Sequence, residues 1–182
     1  MIYTAINGGL MTDGFRQKRA YAGIGARATP PDVCQLMTGY ARRLEAIGYV
    51  LRSGHAVGAD RAFEEGVLDA ANKEIFLPKT SFPSDTALEI AASIHPAWHL
   101  CSEYARSCHG RNVYQILGET LDRPVQFVVC WTPNAEEVGG TRTAIVLAKQ
   151  HSIPVYNLGG CVGRVDFSHY IGFLEQKHQQ GV

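Results

Sequence analysis

No run in this sequence is apolar and long enough to cross a bilayer, and its first residues lack the charged-then-apolar layout of a secretory leader. A membrane partner is therefore not expected. There is no C-x-x-C pair, and the cysteines (Cys34, Cys101, Cys108, Cys130 and Cys161) are odd in number, which argues against a disulfide framework and for a reducing cytoplasm. An excess of charge of one sign is also missing. Lys plus Arg and Asp plus Glu are 17 each, a net charge of zero, which disfavours a long electrostatic footprint on nucleic acid and leaves room only for a local basic patch. Internal repeats and disorder-type composition are absent too. What is present is 46% hydrophobic residues in a chain of 182, enough to bury a sizeable core, so one domain over 1–182 is expected.

Short apolar runs alternate with segments of helical period. Residues 20–25, 49–51, 74–77, 125–131 and 153–157 read as strands, the run Val125 to Trp131 being apolar enough for a central strand buried on both faces. Between them, Met37, Tyr40, Ala41 and Leu44 form one inward stripe behind Thr29, a candidate cap, and the Pro30-Pro31 pair. Residues 59–71 and 141–150 read as further helices. Such alternation predicts a doubly wound, mostly parallel α/β sheet of about five strands, with ligands beyond the strand C-termini. The segment 79–123 is too long for a structureless loop and is read as a helical insertion between the third and fourth strands. Ser84 or Asp85 caps one helix running to Ile94, Pro96 opens another, and Asn112 to Leu117 fits a third. Residues 1–19 read as an N-terminal arm whose Ile2-Tyr3 pair covers an edge or a partner, and 159–182 as a C-terminal helical segment carrying Phe167, Tyr170, Ile171 and Leu174.

Three strands end in glycine-rich turns. A strand that stops at glycines and hands over to a helix leaves backbone N–H groups and a positive helix end facing open space, which suits a phosphate. The first turn holds Gly23, Gly25 and Arg27, the arginine adding a bidentate anion contact. The second holds Ser53, Gly54, Gly58 and Asp60, where a carboxylate can accept from a ribose or simply cap its helix; Arg52 is a candidate partner for Asp60 or Glu64. The third holds Gly139, Gly140, Thr141 and Thr143 and is the preferred phosphate turn. In the insertion, Arg111 suits a phosphate and Asn112 a base edge, the alternative being a helix start with Asn112 as its cap. Trp131, at a strand end, is either pocket wall or a stacking surface for a base. His95, His99, Cys101, Cys108 and His109 are metal-capable, and His95 and His99 could share a helical face, but Pro96 interrupts them and their spacing fits no standard zinc module; no metal and no cofactor is assigned.

These residues resemble the SLOG superfamily, the Rossmann-like group that includes the DNA-processing protein A (DprA/Smf) proteins and the LOG nucleotide phosphoribohydrolases. Ser53-Gly54-x-Ala56-x-Gly58-x-Asp60 is similar to the DprA "SGxAxGxD" signature, and Gly140-Thr141 before Thr143-Ala144 to its later glycine-hydroxyl turn. The likeness covers roughly 21–77 and 127–158. The whole chain is also similar to small phage and prophage proteins with an "H-x-RN…LG" segment (His109, Arg111, Asn112, Leu117, Gly118) before "CWTP…GGT" (Cys130 to Pro133, Gly139 to Thr141). Two departures stand out. The LOG glutamate that follows the glycine-threonine pair is Ala144 here, and DprA's alanine-histidine after the aspartate is Phe63-Glu64.

The expected function is binding of a nucleotide or nucleotide-derived small molecule, in a sensing or sequestering role. The first alternative is an N-glycosidase acting on nucleoside monophosphates, for which Asp60, Glu64, Glu119 and Glu137 are the weak catalytic candidates. The second is a DprA-like single-stranded DNA protein, possible but not favoured by the charge balance. The resemblance also implies a homo-oligomer paired through helices beside the site.

Overall fold

The computed structural model describes residues 18–78 and 82–181. Most of the expected arm, insertion residues 79–81 and residue 182 therefore lie outside the described residues. Five strands, β1 (Arg19–Gly25), β2 (Tyr49–Ser53), β3 (Lys73–Ile75), β4 (Val128–Trp131) and β5 (Val155–Asn157), form one sheet in the order β3-β2-β1-β4-β5. All four pairings are parallel, with Ala22 opposite both Arg52 and Val128. The α/β, Rossmann-like class expected from the alternation is what forms.

The strand period of two sorts the core. Ala20, Ala22, Ile24, Val50, Val128 and Cys130 face one hydrophobic layer, and Tyr21, Tyr49, Leu51, Phe127 and Val129 face the other. Helices α1 (Pro31–Ala46), α2 (Ala59–Gly66) and α6 (Cys161–Gln179) cover the second layer, where the ring of Phe127 packs on Tyr21, Tyr49 and Tyr170. Helices α3 (Asp85–Ile94), α4 (Glu103–Leu117) and α5 (Arg142–Gln150) cover the first. The insertion is thus a structural layer: Val113, Ile116 and Leu117 of α4 share a core with β1, β2 and β4. From β1 the chain winds outward through β2 to β3, then returns across the opposite face by α4 to β4, on the other side of β1. The strand order reverses between β1 and β4, the place where open parallel sheets receive ligands.

Several boundaries differ from the sequence reading. Thr29 does not cap α1. Pro30 holds the N-cap position, and Thr29 Oγ1 donates to Ala26 O at 2.7 Å. Helix α2 stops at Gly66, where Val67 turns extended, and α1 and α2 approach so closely there that a Cβ on Gly66 would lie 2.4 Å from Thr38 O. Pro96 leads only into a short 3₁₀ turn, Trp98–Leu100. Asn112 lies inside α4, whose cap is Ser102. Helix α6 begins at Cys161, upstream of its apolar stripe.

Candidate functional site

The three glycine turns converge. A cavity of about 600 Å³ opens at the C-terminal ends of β1 and β4 and is lined by residues of all three turns, including Gly25, Arg27, Asp60, Gly139, Gly140 and Thr141. The α4 face closes it with His109, Arg111, Asn112 and Gln115. Among the lining groups, two arginines stand against one aspartate.

Backbone packing fixes the first two turns against each other. Gly58 adopts φ +89°, and a Cβ there would sit 2.6 Å from both Ala26 O and Arg27 O, so only glycine fits. Asp60 then clasps the pair: its Oδ1 accepts from Gly25 N at 3.1 Å and its Oδ2 from Ala56 N at 3.4 Å. Arg111 Nη1 approaches the same Oδ2 at 3.6 Å. Burial pushes the Asp60 carboxyl up to about 6, against the pull of Arg111 and the two amides.

Arg111 reaches this position because Gly54 has no side chain; a Cβ there would lie 1.1 Å from Nη1. Gln115, with its amide turned to suit its neighbours, accepts from Gly54 N at 3.0 Å and from Arg111 Nη1 at 3.2 Å, and donates to Asn112 Oδ1 at 3.0 Å. Asn112 Nδ2 in turn donates to Gly140 O at 2.7 Å. A single polar chain, Gly25–Asp60–Arg111–Gln115–Asn112–Gly140, therefore ties the three turns together through α4. Arg111 is 8% exposed, and its buried Nε has no partner among the described residues.

The third turn is the open one. Nothing lies within 4 Å of a Cβ built on Gly139 or Gly140. Helix α5 begins immediately after with no side-chain cap, so its positive end is presented at the cavity wall.

Other candidate residues lie elsewhere. Gly23 packs under α2, where a Cβ would meet Phe63 at 2.6 Å and Leu51 at 2.7 Å. Ser53 is buried and donates to Gly23 O at 2.7 Å. Thr143 is buried, its Oγ1 2.8 Å from His109 Nδ1. Trp131 packs against the aromatic layer beneath the sheet and does not line the cavity. Among the carboxylates of the described residues, only Asp60 lines it: Glu64 pairs with His55 at 2.7 Å, Glu119 is exposed beyond α4, and Glu137 pairs with Lys149. Ala144, at the LOG glutamate position, is a cavity-lining methyl. Arg52 binds neither Asp60 nor Glu64. It pairs with Glu74 at 2.6 Å, its register partner across β2 and β3.

Gln115 was not singled out in the sequence, although it lies four residues after Arg111, on the same helical face. His95 and His99 do not share a helical face, since His95 ends α3 and His99 sits in the 3₁₀ turn. The structure instead brings His95, Cys101 and His109 together, with ligand atoms all within 4.8 Å of one another.

Sheet order, parallel pairing and the cavity at the reversal define a doubly wound α/β protein of Rossmann type. No family model matches the chain, and no curated protein matches it. Among solved structures it is similar to DNA processing protein A from Helicobacter pylori, a protein described for its unique single-stranded DNA binding mode. The TM-score is 0.57 and the identity 19%, over 88% of this chain and 81% of that one. At that identity the likeness speaks for the fold. Among the described residues, no helix is long and apolar enough to cross a membrane.

Proposed function

We propose that the cavity binds the phosphate of a nucleotide unit. The observation that carries this reading is Arg111, a permanently charged group that lines the cavity while almost fully buried, with Asp60 Oδ2 3.6 Å from its Nη1. A buried charge held that loosely is costly unless an anion completes it. The bare Gly139-Gly140 backbone and the start of α5 face the same space, and the volume suits a mononucleotide. In this reading Arg27 and Arg111 hold the phosphate, Gly140 and Thr141 bring amides to it, and Asn112 stays engaged as a brace. Sensing or sequestration of a free nucleotide, with the chain paired as a homo-oligomer, is the fuller form of the proposal.

A single-stranded nucleic acid is the second reading. The likeness to DNA processing protein A favours it, and the exposed Arg27 and Tyr104 at the cavity rim give a strand a cation and a stacking ring. The hydrolase reading has less to stand on, because the lining carboxylate, Asp60, already has both oxygens engaged.

Calorimetric titration with nucleoside monophosphates and with a single-stranded oligonucleotide, each at two salt concentrations, tests the proposal. Tight, weakly salt-dependent mononucleotide binding supports the first reading, and oligonucleotide binding that falls steeply with salt supports the second. Gly140→Asp places a carboxylate in the open turn without a clash. It is expected to weaken either ligand at least 10-fold, about 1.4 kcal/mol. Unchanged affinity would remove the phosphate from this turn.

A further inference from the structure

The cluster formed by His95, Cys101 and His109 lies within one short stretch of chain and outside the polar chain described above. His95 is the C-cap of α3, Cys101 the C-cap of the 3₁₀ turn, and His109 the seventh residue of α4. Cys101 Sγ is 3.7 Å from His95 Nδ1 and 3.9 Å from His95 Nε2, and the imidazoles of His95 and His109 are 4.4 Å apart between centroids. Tetrahedral zinc, with bonds of about 2.0 Å to nitrogen and 2.3 Å to sulfur, places its ligand atoms at similar mutual distances. Small side-chain rotations close the remaining gap.

We propose that His95, Cys101 and His109 form a zinc site, with water or a cavity ligand in the fourth position. The donor set, two imidazoles and one thiolate, is borderline-soft and suits Zn²⁺ better than Mg²⁺ or Ca²⁺. An orienting partner is already in place. His109 Nδ1 lies 2.8 Å from Thr143 Oγ1, and in the tautomer that donates its proton to this hydroxyl the lone pair of His109 lies on Nε2. His95 Nδ1 accepts from Ala97 N–H at 3.2 Å, a contact that ligation through this nitrogen displaces. Trp98 places its ring edge-on to both histidines, 6.2 and 6.3 Å between centroids, and so walls the cluster on one side. The Cys101 thiol gives its proton to solvent as the metal–sulfur bond forms. Because His109 also lines the large cavity, the metal would sit at the border of that cavity.

Cobalt substitution tests this on the full chain, stripped of metal with a chelator. Added Co²⁺ is expected to give the intense ligand-field bands of a tetrahedral ion and a thiolate-to-cobalt charge-transfer band that saturate at one ion per chain and vanish on addition of Zn²⁺. Cys101→Ser should abolish the charge-transfer band, whereas Cys108→Ser, changing the neighbouring thiol, should leave it. His95→Gln should lower Co²⁺ affinity at least 10-fold with an unchanged circular dichroism spectrum, which keeps the test decisive if Cys101→Ser fails to fold. The weak spectrum of an octahedral ion, a band that persists without Cys101, or unchanged affinity in His95→Gln would overturn the site.

Discussion

The helices that follow a strand and the helices of the insertion start in different ways. Helices α1, α2, α5 and α6 begin at Pro30, Gly58, Thr141 and Gly160, and none has a side-chain cap. In the insertion, Ser84 and Ser102 accept from Ala87 N and Ala105 N, each at 3.2 Å, to cap α3 and α4. A serine cap satisfies amides that have nothing else to meet. Where α2 and α5 border the cavity, glycine and bare backbone replace it, and local stability is given up at the ends that face the cavity. The insertion adds to these ends a buried cation, Arg111, reaching the same cavity from α4.

Arg111 is where the two regions meet, so its replacement should have the largest effect. Arg111→Met leaves Asp60 buried without its cation and frees Gln115. Breaking a buried ion pair from one side costs roughly 3–5 kcal/mol, and the loss should fall at or below the lower end of that range because Asp60 can take up a proton. Urea unfolding should show it, together with loss of phosphate-ligand binding. An unchanged midpoint with lost binding would mean that α4 carries the cation for the ligand alone and does not brace the turns.

Much of this division was legible in the sequence, because its signals are local. Glycines following β-like runs marked all three turns, and the spacing of Phe167, Ile171 and Leu174 marked α6. What escaped depends on pairing at a distance. Glu74 is the partner of Arg52 only because β2 and β3 align those residues in register. Gly54 looked like a ligand glycine, and its missing side chain turns out to make room for a guanidinium 57 positions further along the chain. Gln115 reads as one more polar residue of a mixed helix until Gly54 and Asn112 come within reach. The metal-capable cluster escaped for a related reason: the turn at Trp98–Leu100 folds Cys101 back onto His95, and no helical or module spacing encodes that fold-back.

A second way to separate the regions is pH. The Asp60 carboxyl titrates near 6 in the folded protein against 3.8 ordinarily. Its contribution to stability is therefore fully present below about 3.8 and is lost as pH rises through about 6, since the folded state holds the proton more tightly. Protonation also removes the negative charge that Asp60 brings to the cavity wall. Affinity for a phosphodiester, whose own charge is constant in this range, should rise several-fold as pH falls from 7 to 5, as read by fluorescence titration. Asp60→Asn should flatten that profile. A profile that is already flat in the unaltered protein would place the bound anion away from the clasp.

The smallest effects should come from the caps themselves, and they are the most direct test of the contrast. Ser84→Ala and Ser102→Ala each remove a hydroxyl that accepts one backbone N–H, a loss of about 1 kcal/mol in stability. Neither residue lines the cavity, so ligand affinity should not change. Thr141→Ala should do the opposite. Its hydroxyl makes no cap bond at α5 but lies in the cavity wall, so the unfolding midpoint should barely move while phosphate binding weakens. If Thr141→Ala instead lowers stability as much as the serine changes do, the start of α5 is an ordinary helix end that needs its threonine, and the contrast between open and capped ends is lost.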